Sequence, residues 1–177
     1  MSLRELTGEK HRLAESTPFM RAVFQGDLPL KAWSNFVYDK SLFYPVIEAK
    51  ARTLGLLEDL QGIERSRELR VDFQELSDTE YAYNYSSAAQ AYYDYLLGLT
   101  HHDDILAHLY VWHMGDLYGG QMIKKLIPGS HYSLEFANPE ELKTNLRNKL
   151  SDGMANEANC AFDWAIKILN EYDSALN

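Results

Sequence analysis

The stretch HMGDLYGGQMIKK, residues 113–125, places three glycines, Gly115, Gly119 and Gly120, around a single carboxylate, Asp116. Each glycine inside a helix costs about 1 kcal/mol relative to alanine. A helix face stripped of side chains lets a flat ligand touch the backbone, and it allows the helix to bend where it crosses that ligand. Asp116 would then be one carboxylate in an apolar pocket, where its hydrogen bonds count most. On the glycines alone, a break between two helices with Gly119 or Gly120 as its cap is the simpler reading.

His11 is the second candidate. A neutral imidazole there could bind a metal through one ring nitrogen, with Glu15 one turn on orienting the ring through the other. By helical spacing His11 shares a face with Thr7 and Ala14. The alternative is an ordinary exposed histidine, and His101, His102, His108, His113 and His131 carry the same alternative. The third candidate is a set of cations: Arg4 near the start, and Lys143 with Arg147 at i, i+4 on one later helix face. Such a pair can clamp carboxylates or can be a solvated surface.

Several chemistries lack their pattern. There is no His-Glu-x-x-His zinc motif and no pair of Glu-x-x-His motifs for a di-iron bundle. The glycines follow no strand, so a phosphate-cradling loop is a poor reading. One cysteine, Cys160, excludes an internal disulfide or a cysteine-based cluster within the chain. A formal net charge of −9 argues against nucleic acid as a partner. With no apolar run of membrane-spanning length and no signal-peptide pattern, the expectation is a soluble, cytoplasmic protein with no membrane partner. The 177 residues are read as one domain, 1–177.

The elements that must position these residues are all helical. Ser2-Leu3-Arg4-Glu5 matches a capping box, and Thr17-Pro18 is a second helix start ended by Gly26. Pro29 opens a broadly apolar helix that Pro45 should kink and Gly55 should end. LQGIERSRELRVDFQEL and SAAQAYYDYLLG follow as further helices. A long segment from about Asp103 to Ile127 carries the glycine motif. Asn138-Pro139 starts ELKTNLRNKL, and a stripe of Ala158, Phe162, Ala165, Leu169, Tyr172 and Leu176 marks a last helix over roughly residues 156–176. No segment alternates with period two, so the expected class is all-α with about seven or eight helices.

Taken together, these segments resemble the haem oxygenase family. LRELTGEKHRLAESTPFM is similar to the segment that carries that family's proximal histidine. YVWHMGDLYGGQMIKKL resembles its distal-helix signature, usually G-D-L-S-G-G-Q, and ELKTNLR resembles the basic stretch near the haem propionates. The length resembles the soluble bacterial, cyanobacterial or phage-type members. The resemblance implies a single-domain, multi-helix fold with haem b held between the first helix and a kinked distal helix. It implies His11 as axial ligand supported by Glu15, and Gly115 and Gly119 passing close over the haem with Gly120 maintaining the bend. Asp116 would order the water network that delivers protons to iron-bound oxygen. Tyr110 would lie near the haem edge, Arg4, Lys143 and Arg147 on the propionates, and Phe162 against the macrocycle.

The implied reaction uses O2 and electrons to open haem to biliverdin, at the α position, with release of carbon monoxide and ferrous iron. The implied donor is reduced ferredoxin, docking on a local basic patch that includes Lys10, Lys124 or Lys125, and the implied downstream partner is a bilin reductase. Two residues depart from the family pattern: Tyr118 replaces a small serine, and Trp112 replaces a residue that is often basic. The alternatives are a haem carrier of the same fold without turnover, a thiaminase-like helical enzyme that uses no haem, and a structural helical module.

Overall fold

The computed structural model describes residues 1–77 and 82–176, and among them every regular element is helical. The helices are α1 (Leu3–Leu6), α2 (Gly8–Glu15), α3 (Pro18–Gln25), α4 (Leu30–Thr53), α5 (Ser66–Leu76), α6 (Ser87–Leu97), α7 (His102–Leu109), α8 (Gly115–Tyr118), α9 (Gly120–Ile123), α10 (Pro139–Arg147) and α11 (Ala155–Asn170). A π-helical turn, Tyr110–Met114, joins α7 to α8. The all-α class expected from the sequence is therefore observed. The segments outnumber the expected helices because two long stretches are interrupted.

Local chemistry explains the boundaries. The Ser2 capping box forms as its spacing predicts: Glu5 N–H donates to Ser2 Oγ at 3.3 Å and Ser2 N–H to Glu5 Oε2 at 2.9 Å. The first helix then pauses at Thr7, whose hydroxyl donates back to Leu3 O at 2.9 Å, before α2 begins. Thr17 caps α3 through Met20 N–H at 3.3 Å, and Gly26 ends it in the left-handed region at φ 74°. Asn138 does not cap α10 with its side chain, which instead donates to Gln61 O at 3.3 Å. The last helix ends at Asn170, earlier than its apolar stripe suggests, and a 3₁₀ turn, Asp173–Ala175, follows.

Helix α4 is the centre of the fold, packing on α5, α6 and α7. It buries Ala32, Trp33, Phe36, Val37, Phe43, Tyr44, Ile47 and Ala51. The helix runs through Pro45, which leaves one carbonyl a turn earlier without its usual donor. Helix α11 lies across α2 and α7 with Ala158, Ala161, Phe162, Ala165, Ile168 and Leu169 buried. Among the described residues, no helix is long and apolar enough to cross a membrane.

Candidate functional site

A cavity of about 1110 Å³ opens between α1–α3, α4, the distal segment and α11. Ligand pockets are commonly ~300–1,000 Å³, so this one admits a large ligand. Its wall is mainly apolar and aromatic, with Phe19, Val23, Trp33, Phe36, Val111 and Phe162 among its residues.

One wall is the face of α2 that helical spacing predicts: Thr7, His11, Ala14 and Glu15 all border the cavity. His11 Nε2 pairs with Glu15 Oε1 at 3.1 Å, and among the described residues its other ring nitrogen has no hydrogen-bond partner. The His11 ring also lies 5.7 Å from the ring of Phe162, which α11 contributes. Arg4 and Arg147 border the same cavity, as does Tyr110.

The distal segment supplies Tyr110, Val111, Met114, Gly115, Asp116, Tyr118 and Gly119 to the wall. Its irregularity is the π-helical turn immediately before Gly115, a device that shifts the helix register by one residue. None of the three glycines has a positive φ, so none is required by backbone conformation. A Cβ at Gly115 would meet nothing within 4 Å, because the position faces open space. Gly120 behaves differently. Its Cβ would lie 3.1 Å from Leu134 Cδ2, on the protein side of the helix, and the residue does not border the cavity. Gly120 thus packs the distal helix against Leu134, beside the interruption at Gly119 that separates α8 from α9.

Asp116 is held from α4. Tyr44 Oη donates to Asp116 Oδ2 at 2.7 Å, and Lys40 Nζ donates to Asp116 Oδ1 at 3.2 Å. Residues 40 and 44 are one turn apart, so both reach the carboxylate from one helix face. Burial, and then the Asp116 charge, push the Tyr44 hydroxyl well above the usual tyrosine range, which keeps it a donor. Behind Tyr44, the His113 ring lies tilted with its centre 4.6 Å from that of the tyrosine ring, and its Nε2 is 2.7 Å from Glu48 Oε2. Burial acts to raise the Glu48 carboxyl. The His113 contact, the Ser66 hydroxyl and the Arg65 N–H together outweigh it and hold Glu48 below the usual range.

Sequence reasoning missed Lys40 and Tyr44. Their i, i+4 spacing was visible, but nothing along the chain announced that a carboxylate 72 residues beyond Tyr44 would meet them. Lys143 does not border the cavity; its Nζ pairs with Glu140 at 3.1 Å and sits 4.5 Å over the Tyr118 ring. Arg147 donates to the Tyr118 hydroxyl. Tyr118 therefore stands at the cavity rim between two cations, which answers where the bulky replacement for serine goes.

Comparison with known proteins agrees with this geometry. A family model described as Heme oxygenase matches residues 1–147. Heme oxygenase 1 of Synechocystis sp. is 27% identical, with 98% of this chain and 84% of that protein aligned. Heme oxygenase 2 of Rattus norvegicus is 26% identical, and this chain spans 65% of its length. The crystal structure of Synechocystis heme oxygenase-1 in complex with heme superposes with a TM-score of 0.84 at 25% identity, covering 98% of this chain and 91% of that one. The structure of heme oxygenase from Leptospira interrogans has the same fold, with a TM-score of 0.82 at 23% identity over 96% of this chain and 97% of that one. The chain belongs to the haem oxygenase family.

Proposed function

We propose that the cavity binds haem as substrate and that this protein cleaves it to biliverdin, at the α position, releasing carbon monoxide and ferrous iron. The observation that carries the reading is one cavity bordered by His11, by the bare backbone of Gly115 and by the tethered carboxylate of Asp116. The residues fit the ligand. The wall is apolar enough for a macrocycle, and Phe162 and Phe36 offer flat contact. Arg4 and Arg147 supply cations at the same cavity for two propionates. Among the described residues no group of three or more His, Cys, Asp or Glu side chains is arranged to hold a bare metal ion. A lone His11 suits iron that arrives already held by four ring nitrogens.

Bound haem supplies the iron that activates O2 and the ring carbon that is oxidised. The protein does the rest. His11 holds the iron from one side, and Glu15 fixes the ring's orientation. Gly115 and Gly119 keep the other side free of side chains. Asp116, fixed by Tyr44, orders water and passes protons to the oxygen side of the cavity. The apolar wall excludes bulk water, which strengthens each of these interactions. Retention of both His11 and Asp116 favours turnover over a carrier, which has no use for an oriented carboxylate.

Electrons come from outside the chain, and we assign reduced ferredoxin as the donor. Lys125 is exposed and Lys124 half-buried, so both are accessible to an acidic partner. Lys10 is already paired with Asp163 at 2.7 Å. A bilin reductase would be the consumer of the product.

Absorption spectra test the reading. Haem added to the protein should give a histidine-ligated Soret band, which decays under O2 and reductant as a red-absorbing bilin forms. Asp116→Ala should still bind haem and form little bilin, and His11→Ala should lose the iron–histidine Raman band. A Soret band that stays stable under turnover conditions would leave only the carrier.

A further inference from the structure

Lys40 is the one charged side chain of α4 that borders the cavity. Its side chain is 3% exposed and that of its partner, Asp116, 10%. Lysine is almost never so buried without a partner, and a buried ion pair is often no more stable than an apolar replacement. Stability alone therefore does not account for a lysine here. Its surroundings suit a cation: the ammonium lies 4.8 Å from the centre of the Tyr44 ring and 5.3 Å from that of Phe36. Asp116 is its only hydrogen-bond acceptor among the described residues. An ammonium has three N–H donors, so two remain for whatever occupies the cavity.

The distal segment brings no cation of its own to this place. At the position where its motif is often basic stands Trp112, whose indole N–H is spent on Tyr92 Oη at 2.9 Å. We propose that Lys40, reaching across from α4, is the positioning residue of the oxygen side of the site: its charge orients Asp116 and offsets the carboxylate's negative field at the reacting centre. The inference rests on the haem-cleaving reading above. Tyr44 fixes one carboxylate oxygen and Lys40 the other, so the carboxylate plane is set from two points of one helix face. The next ionisable groups, Glu48 and His113, are paired with each other at 2.7 Å and leave Lys40 as the net cation beside Asp116.

The test uses the full chain loaded with haem, in Lys40→Gln, Lys40→Arg, Asp116→Asn and the double variant Lys40→Gln/Asp116→Asn. Glutamine removes the charge and retains an N–H donor, one bond nearer the backbone than the ammonium, and Lys40→Arg keeps the charge as its counterpart. Haem affinity of Lys40→Gln should stay within about threefold of wild type, because Lys40 does not hold the macrocycle. The acid–alkaline transition of its ferric complex should rise by about one pH unit, since loss of a nearby cation disfavours the more negative form. Bilin formation should fall about tenfold, and Lys40→Arg should recover most of it. In the Asp116→Asn background, Lys40→Gln should cost less than about twofold more.

Wild-type turnover and an unmoved transition in Lys40→Gln would overturn the proposal, as would a loss fully additive with Asp116→Asn. If Lys40→Gln does not fold, Lys40→Arg decides: a folded arginine variant with turnover as poor as Asp116→Asn also overturns it. Absence of bilin from wild type would instead refute the haem-cleaving function itself, so the two failures are distinct.

Discussion

Gly115→Ala separates folding from function at the glycine motif. Gly115 has ordinary helical backbone angles, φ −58° and ψ −45°, so alanine adopts them without strain. The added Cβ meets nothing within 4 Å. Replacing a helical glycine by alanine then gains about 1 kcal/mol. For a chain of this size that is a rise of about 2–4 °C in the Tm of the ligand-free protein. The same methyl group enters the space proposed for haem, where the bare backbone is the wall. Haem affinity should fall about tenfold, roughly 1.4 kcal/mol. Gly120→Ala is the control. Its Cβ meets Leu134 Cδ2 at 3.1 Å, and Leu134 is buried, so overpacking of about 1–3 kcal/mol outweighs the propensity gain. That variant should melt lower, and because it reaches the cavity only through a small shift of Leu134, which lines it, haem affinity should change less than in Gly115→Ala. Thermal unfolding of both variants and Soret titration with haem provide the readings. A Gly115→Ala protein that is more stable and binds haem as wild type does would refute the claim that this glycine is kept bare for a ligand.

Other perturbations have defined outcomes. Tyr44→Phe removes the donor to Asp116 Oδ2 and should lower stability in urea by about 1–2 kcal/mol while slowing bilin formation; a change under ~0.5 kcal/mol would mean the hydrogen bond is not held in solution. Tyr118→Phe frees Arg147 from the phenol, so haem affinity should rise about two- to fivefold if that arginine takes a propionate (~0.4–1 kcal/mol), and Arg147→Ala should abolish the gain. Glu48 titrates below 4.5 in the folded protein, so its contribution to stability is present above that pH and is lost as pH falls through the folded value. The stability advantage of wild type over Glu48→Gln should accordingly shrink below pH 4.5, and an advantage that grows there would contradict the assignment.

Local signals in the sequence carried far because they are local in physics. The capping box at Ser2 and the Thr17 cap each involve residues three apart, and both form as their spacing predicts. His11, with Thr7, Ala14 and Glu15, shares one helix face by periodicity alone, and the fold turns that face to the cavity. What stayed hidden depends on contacts between distant segments. The π-helical turn at Tyr110–Met114 has no residue signature, and the packing of Gly120 on Leu134, beside the interruption at Gly119, depends on a residue fourteen positions on. Lys40 and Tyr44 read as part of an apolar helix until Asp116 arrives from the distal segment. Lys143 and Arg147 share a face as their spacing requires, yet only Arg147 reaches the cavity, because Tyr118 and Glu140 hold Lys143 outside it.

The most direct test of the account is the yield of carbon monoxide per haem in a single turnover of the wild-type protein, with O2 and a reductant that does not itself attack haem. The account predicts carbon monoxide equimolar with haem consumed and with biliverdin formed, and loss of both products in Asp116→Ala at unchanged haem binding. Haem that binds through His11 and persists, or that bleaches without carbon monoxide, would contradict it.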